Sequence, residues 1–238
     1  MSHSSSSPHQ TRAQRTAEAI LLAATELYAT QEAQRVTVDQ IARGADVAVG
    51  SIYVHYGNKE RLYLEVVTRA LELCTSYTAH RAWTASPVAR IRSTGEAFVE
   101  FALAHPFEFR IVAERATERS GLPELADAEA HIAELVRQPM LQLATDVHQA
   151  IEAGEIRVMP VEQVVSYFWV LWSGIIGLTA RGDVWRFPVD AIRPMLSDAA
   201  DILERGLAPD AGAGEGGGEV ASGGSIAPTV VAALRAAS

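Results

Sequence analysis

The segment TVDQIARGADVAVGSIYVHYGNKERL, residues 37–62, fits a short helix, a tight turn, a second short helix and the start of a third into a few turns of chain. Thr37-Val38-Asp39-Gln40 reads as a capping box, in which the Thr37 hydroxyl and the Gln40 side chain satisfy free amides at a helix N-terminus. Val38, Ile41, Ala42 and Ala45 follow at helical spacing as one apolar face. Gly44, Ala45, Asp46 and Val47 supply small and turn-tolerant residues, and Ile52, Tyr53 and Tyr56 begin a second face. Two short helices joined so tightly resemble a helix-turn-helix, whose second helix lies in the DNA major groove.

The run Gly50-Ser51-Ile52-Tyr53-Val54-His55-Tyr56-Gly57-Asn58-Lys59-Glu60-Arg61-Leu62, preceded by Thr37-Val38, Ile41-Ala42, Ala45 and Val47, resembles the TetR-family pattern over about residues 12–66. Three positions depart from it. The loop at Gln31–Arg35 lacks the family's usual glycine, Asp46 stands where the family favours glycine, and Ala48 stands where Ser or Thr usually caps the recognition helix. Losing such a cap costs on the order of 1 kcal/mol, whereas Asp tolerates a left-handed backbone better than most residues.

The resemblance implies an all-α fold, with an N-terminal three-helix helix-turn-helix domain followed by a C-terminal helical bundle for ligand binding and dimerisation. Expected boundaries are a disordered tail over 1–10, a DNA-binding domain over 11–58, a ligand-binding and dimerisation domain over 59–207, and a disordered Gly/Ala/Ser tail over 208–238. Capping boxes and breakers place the helices. Thr11-Arg12-Ala13-Gln14 opens the first, with Ala13, Ala17, Ile20, Leu21, Ala24, Leu27 and Tyr28 as its stripe. Asn58 caps a long helix reaching about Arg81, and Ser86-Pro87 starts another that His105-Pro106 ends. Phe107 to about Thr117 follows, with Phe107, Ile111 and Phe109 available inward; Pro139 interrupts a helix over 124–153, and Gly154 stops it. Val161 to Ala180 is the most apolar stretch, and Val189 to Leu207 is a last amphipathic helix.

Composition sets limits on function. The 238-residue chain carries a net charge of −9, yet residues 1–66 hold six basic against seven acidic side chains, so the head is nearly neutral. Such a head grips DNA through a few placed contacts and helix-end dipoles rather than a broad basic field. Lys59, the chain's one lysine, falls at the motif's lysine. A single cysteine, Cys74, excludes an intramolecular disulfide and is expected to be a packed thiol, with any redox role left open. The polar N-terminal residues carry no leader-like apolar run, and a cytoplasmic protein is expected. The uncharged run between Glu162 and Arg181 is near the lower limit for crossing a bilayer, but Ser166, Ser173 and two glycines dilute it. It is read instead as a helix buried on two sides, without membrane association.

By resemblance, the DNA-contacting residues are Thr37, Ser51, Tyr53, His55 and Lys59. Ala48, Val49 and Gly50 form the leading edge of the recognition helix, and Arg43 is a candidate guanine contact. Ile52 and Tyr56 face inward. Candidate ligand-lining residues are Phe98, Phe101, His105, Phe107, Phe109, His131, Met140, Tyr167 and Trp169, which point to a hydrophobic or aromatic effector. The expected dimer interface comprises Trp169, Trp172, Ser173, Gly174, Gly177, Ile192, Met195, Leu196 and Ala199. The partners implied are a palindromic double-stranded operator, a second copy of the chain and a small-molecule effector, with no cofactor or metal. Catalytic motifs are absent from the sequence, so no enzyme is expected. The alternatives are a helical ligand-binding protein that lacks specific operator recognition and, more remotely, a helical enzyme.

Overall fold

The computed structural model describes residues 8–79, 86–115, 122–178, 184 and 187–209. Its described helices are α1 Pro8–Thr30, α2 Val38–Gly44, α3 Val49–Tyr56, α4 Lys59–Thr78, α5 Pro87–Ala104, α6 Pro106–Arg115, α7 Ala126–Glu152, α8 Val161–Gly177 and α9 Val189–Leu207, with a 3-10 turn at Pro123–Leu125. The described residues contain no strand, so the all-α expectation holds. Contacts divide the chain into two units, Met1–Leu73 with His105–Leu135, and Cys74–Ala104 with Val136–Ser238.

In the first unit, α1 packs on α2, α3 and α6. Ile20, Ala24 and Tyr28 of α1 are fully buried, as are Val36, Ile41, Ile52 and Leu62, so the three- and four-residue spacing seen in the sequence becomes a continuous core. The Tyr28 and Tyr63 rings meet edge-on at 5.0 Å. Gly44 passes so close to α1 that a methyl there would stand 3.2 Å from the Ala23 Cβ.

Two expectations about this unit change. Helix α1 starts at Pro8 rather than at Thr11, and proline is well suited to a first turn because its missing N–H has no intrahelical partner there. The expected tail over 1–10 therefore loses its last residues to α1, and residues 1–7 lie outside the described part. On α6, Phe107 is 42 % exposed while Phe109, at 6 %, is buried with Ile111 and Val112. Phe107 shares a face with Ile111 but stands in the first turn, so its position along the helix decides its exposure.

The second unit is organised by contacts among α5, α8 and α9. Ile91, Phe98, Val99 and Phe101 of α5, Val164, Val165, Phe168 and Trp172 of α8, and Ile192 and Leu196 of α9 form its core. Gly95 is indispensable to this packing, since a Cβ there would fall 2.5 Å from the Trp172 indole. Arg90 is buried and its Nε donates to Asp146 Oδ1 at 2.9 Å, tying α5 to α7. Its Nη2 donates to Gln149 Oε1. Helix α7 runs through Pro139 unbroken, although proline supplies no amide to the ladder there. It closes at Gly154 (φ 70°), where Glu155 N–H bonds the Ala150 carbonyl at 2.8 Å and Gly154 N–H bonds the Ile151 carbonyl at 3.1 Å. These two bonds are those of a Schellman end.

Helix α8 ends at Gly177; residues 179 and 180, expected in it, lie outside the described part, as does the tail from 210. No described helix is long and apolar enough to cross a membrane. Gly95→Ala is expected to lower unfolding stability by about 1–3 kcal/mol, because the Trp172 ring must move to admit a methyl group. Chemical denaturation checks this, and an unchanged midpoint would contradict the close approach.

Candidate DNA-binding site

The head is built on local hydrogen bonds that hold α3 with one face buried and the other open. Thr37 has an extended backbone (φ −107°, ψ 152°) and caps α2: Gln40 N–H donates to its Oγ1 at 3.3 Å, and its own N–H donates to Gln40 Oε1 at 2.8 Å. The Thr37 hydroxyl also donates to Gln40 Oε1 at 3.0 Å, so in this state its proton serves the cap. At the far end of α2, Val47 N–H bonds the Ala42 carbonyl at 3.0 Å and Asp46 N–H bonds the Arg43 carbonyl at 3.3 Å. This is again a Schellman end, with Asp46 in the left-handed position that usually takes glycine. Its φ is 53°, the one positive value at a non-glycine among the described residues.

Ala48 then enters α3 in an extended conformation (φ −70°, ψ 145°) with no side-chain cap. The Asp46 side chain does not replace that cap, although its charge lies in the turn leading into α3. Without a capping oxygen, the first amides of α3 remain open to an outside acceptor.

Along α3 the two faces separate cleanly. Ile52 is fully buried, and the Tyr56 hydroxyl donates to the Ala17 carbonyl at 2.8 Å, anchoring α3 to α1. Opposite them, Val49 is 36 % exposed, Tyr53 50 % and Val54 83 %. Gly50 adds a patch of bare backbone, with open space where a Cβ would stand. Val54 was not among the sequence candidates; its spacing from Gly50 and opposite Ile52 was the available signal. Ser51 and His55 are half-buried at the sides of this face.

Gly57 (φ 79°) turns the chain out of α3, and Asn58 starts α4 by accepting Arg61 N–H on its Oδ1 at 2.7 Å. That places half-buried Lys59 in the first turn of α4, where its ammonium adds to the positive helix end. Arg43 is exposed and commits only its Nε, to the Asp39 carbonyl at 3.2 Å. Thus Arg43, Gly50, Tyr53, Val54 and Lys59 leave unspent donors, apolar surface or backbone on the outside of the unit.

The Tyr56 phenol is pushed up to about 12, mainly by burial and then by the negative charges of Glu65 and Glu18, with Arg69 opposing. Because its folded value lies above the ordinary one, the protonated phenol contributes stability that is complete below about pH 10 and lost toward pH 12.

The expected ligand-lining residues divide between the two units. Phe98 and Phe101 are buried in the second unit, with ring centroids 6.4 Å apart, and Phe98 also lies 5.6 Å from Trp169. Tyr167 accepts a hydrogen bond from Gln163 at 2.6 Å, and Met140 is half-buried in the same unit. His105, Phe107, Phe109 and His131 belong to the first unit, where Phe107 and His131 are exposed. The cavities found within the second unit have other linings. One of about 280 Å³ lies among Gly95, Val99, Phe168, Trp172 and Glu204, and another of about 250 Å³ among Thr75, Thr78, Thr94, Gln138 and Gln142.

The interface expectation needs a similar correction. Trp172, Ile192 and Leu196 are 5 %, 0 % and 6 % exposed within the single chain, so they belong to its own core. Trp169, Ser173, Gly174, Gly177, Met195 and Ala199 retain accessible surface, and Val170 (56 %) and Ile202 (67 %) add exposed apolar surface on α8 and α9. Cys74 is a partly buried thiol pushed up to about 12 by burial, as expected of a packed group.

A helix-turn-helix head with an open recognition helix, joined to a helical second unit, defines a DNA-binding transcription regulator. Residues 20–66 match the model for bacterial regulatory proteins of the tetR family, which identifies the head as a TetR-family DNA-binding domain. Solved structures share the fold over most of its length. A tetR-family regulatory protein from Rhodococcus RHA1 is 20 % identical, with a TM-score of 0.66 over 81 % of this chain and 97 % of its own. The ketosteroid transcriptional regulator KstR2 of Mycobacterium tuberculosis is 21 % identical, with a TM-score of 0.65 over 82 % and 95 %. The TetR-family regulator PfmR of Thermus thermophilus is 18 % identical, with a TM-score of 0.63 over 80 % and 99 %. No curated protein matches the chain.

Tyr56→Phe should cost about 0.5–1.5 kcal/mol at neutral pH by removing the bond to Ala17. That deficit should shrink as pH rises from 10 toward 12, where the wild-type phenol ionises. Denaturation midpoints of both proteins across that range provide the check, and parallel curves would contradict it.

Proposed function

We propose that the protein is a homodimeric repressor that binds a palindromic operator and is released by a small apolar or aromatic molecule. The observation that carries the DNA-binding half is the open face of α3, with Val49, Gly50, Tyr53 and Val54 outward over a buried Ile52. Val49 and Val54 offer apolar contact to thymine methyl groups, and Gly50 admits the backbone close to base edges. Arg43 offers its terminal amines to a guanine edge or a phosphate. Tyr53, Ser51, His55, Lys59 and the amides at the start of α3 hold phosphates, with Thr37 joining them if its hydroxyl leaves Gln40. Such a protein works where chromosomal DNA lies, in the cytoplasm, and its role is regulatory rather than catalytic.

The proposed organisation assigns the head through residue 58, with α1 beginning at Pro8, to DNA binding, and 59–207 to ligand binding and dimerisation. Dimerisation would use the exposed faces of α8 and α9, centred on Val170, Gly174 and Ile202, with Trp169, Ser173, Gly177, Met195 and Ala199 around them. Paired heads read the two halves of a palindrome. Release requires that the effector bind better to a state whose heads no longer fit the operator. Support for an apolar effector comes from the aromatic walls of the second unit, and from KstR2, whose name ties it to ketosteroids.

The acidic Asp46 beside an uncapped α3 favours a second reading, a helical ligand-binding protein without specific operator recognition. Selection of bound fragments from random DNA separates the two. An enriched palindrome supports the repressor, and unselective recovery supports the second reading. On the selected site, Tyr53→Phe should weaken binding roughly fivefold and Lys59→Ala roughly tenfold, the latter with a shallower salt dependence. Undiminished affinity in both variants would remove these residues from the interface.

A separate expectation concerns assembly. A Cβ at Gly174 meets nothing within 4 Å in the single chain, so Gly174→Leu should fold normally yet hinder close approach of a second copy. Light scattering should then show a monomer or a weakened dimer; an unaltered dimer would move the interface elsewhere.

A further inference from the structure

We propose that the cavity between α5, α8 and α9 binds a small organic cation, an aromatic or apolar body bearing a protonated amine, with Glu204 as its counter-charge. The cavity holds about 280 Å³, near the lower end of the range for small-molecule sites. Its apolar wall is the Phe168–Trp172 pair, with ring centroids 5.5 Å apart and an interplanar angle of 37°. Trp172 reaches this position because Gly95 has no side chain. An indole face is the most favourable aromatic surface for a cation.

The charged groups around the cavity decide the sign of the ligand. Arg92 donates through Nη2 to Asp201 Oδ1 at 2.5 Å and to Glu204 Oε2 at 2.6 Å. Arg193 is engaged by Glu100. Both arginines on the lining already bond carboxylates, Arg92 through Nη2 and Arg193 through Nη1, and the lining carries three carboxylates, Glu96, Glu100 and Glu204, against these two guanidiniums. The balance of charge on the lining is therefore negative. Glu96 lines the cavity as well, and Glu204 Oε1 is sealed from water without a hydrogen-bond partner.

A carboxylate oxygen left buried without a donor is costly, and a turn of the Glu204 side chain that brings Oε1 into the cavity would let an ammonium N–H recover that cost as a charge-assisted bond. Glu204 and Phe168 also border a second void of about 450 Å³ lined by Val88, Ile156 and Leu207. Arg205 stands on its rim, exposed, with its Nε given to the Asp201 carbonyl at 3.0 Å, so its charge is largely screened by water. None of the nine ligand-lining residues expected from the sequence borders either void.

This assignment deepens the effector half of the proposed function and rests on that reading only for its consequence on DNA. Calorimetry on the full chain tests the site itself, using 2-phenylethylammonium, the isosteric neutral 2-phenylethanol and the anion 3-phenylpropanoate as probes. The cation is expected to bind at least about tenfold more tightly than either, given a charged hydrogen bond plus an aromatic face. Glu204→Gln should abolish that preference. Because Glu204 also holds Arg92, Ala200→Phe serves as a second variant that fills the cavity and leaves the ion pair in place; it should abolish binding of the cation. Equal or tighter binding of the anion, no cation binding at millimolar concentration, or unchanged cation binding in Ala200→Phe would each overturn the assignment. Operator binding measured in parallel keeps the two readings apart. Selective DNA binding without any cation binding removes the site and leaves the regulator; cation binding lost in both variants establishes the site even where no operator is found.

Discussion

Two hydrogen bonds, from Val47 N–H to the Ala42 carbonyl and from Asp46 N–H to the Arg43 carbonyl, close α2 and fix the direction in which the chain leaves it. They form only if residue 46 adopts a left-handed backbone, and an L-residue other than glycine does so at a cost. The head accepts that cost because the exit direction places Ile52 in the core and Tyr53 and Val54 outside. Tyr56, bonded to Ala17, then fixes the far end of α3 against α1. A recognition helix of eight residues has little stability of its own, so its orientation is inherited from these anchors.

The features legible in the sequence were those written in local chemistry. Thr37 and Gln40 form the reciprocal cap that their spacing implies, Asn58 and Ser86 accept amides at the starts of α4 and α5, and Gly154 ends α7 with positive φ. Each of these depends on residues a few positions apart, so the pattern and the structure carry the same information. The helical face of α3 was legible for the same reason, since Ile52 and Tyr56 recur on one side.

Partner choice over long sequence separations was not legible. Periodicity marks Trp172, Ile192 and Leu196 as apolar helix faces, but it cannot distinguish a face covered by the same chain from one covered by a second copy. That distinction depends on Gly95, 77 positions before Trp172, being small enough to admit the indole. The buried Arg90–Asp146 pair and the Arg92–Asp201–Glu204 cluster join helices far apart in sequence. In the sequence these charges look like ordinary solvated positions. A buried pair such as Arg90–Asp146 adds little net stability because desolvation opposes its attraction, yet removing one partner strands the other. Their contribution is therefore to register, fixing which turn of α5 faces which turn of α7 and α9.

Helices α8 and α9 carry two kinds of surface at once. Trp172 and Glu204 border the cleft between α5, α8 and α9, whereas Val170 and Ile202 stand on open surface outside it. A ligand that drew Glu204 toward itself would compete with Arg92 for the same carboxylate and so loosen the tie between α5 and α9. The effect on α9 is bounded by the difference in ligand affinity between the tied and loosened arrangements, however tightly the ligand binds in either. A cation has such a difference built in, because its ammonium can take the place of the guanidinium beside Glu204. A neutral molecule filling the same space has no charge to exchange for that of Arg92. The charge of the ligand, more than its size, is thus what gives this cavity a means of shifting the helix whose outer face carries Ile202.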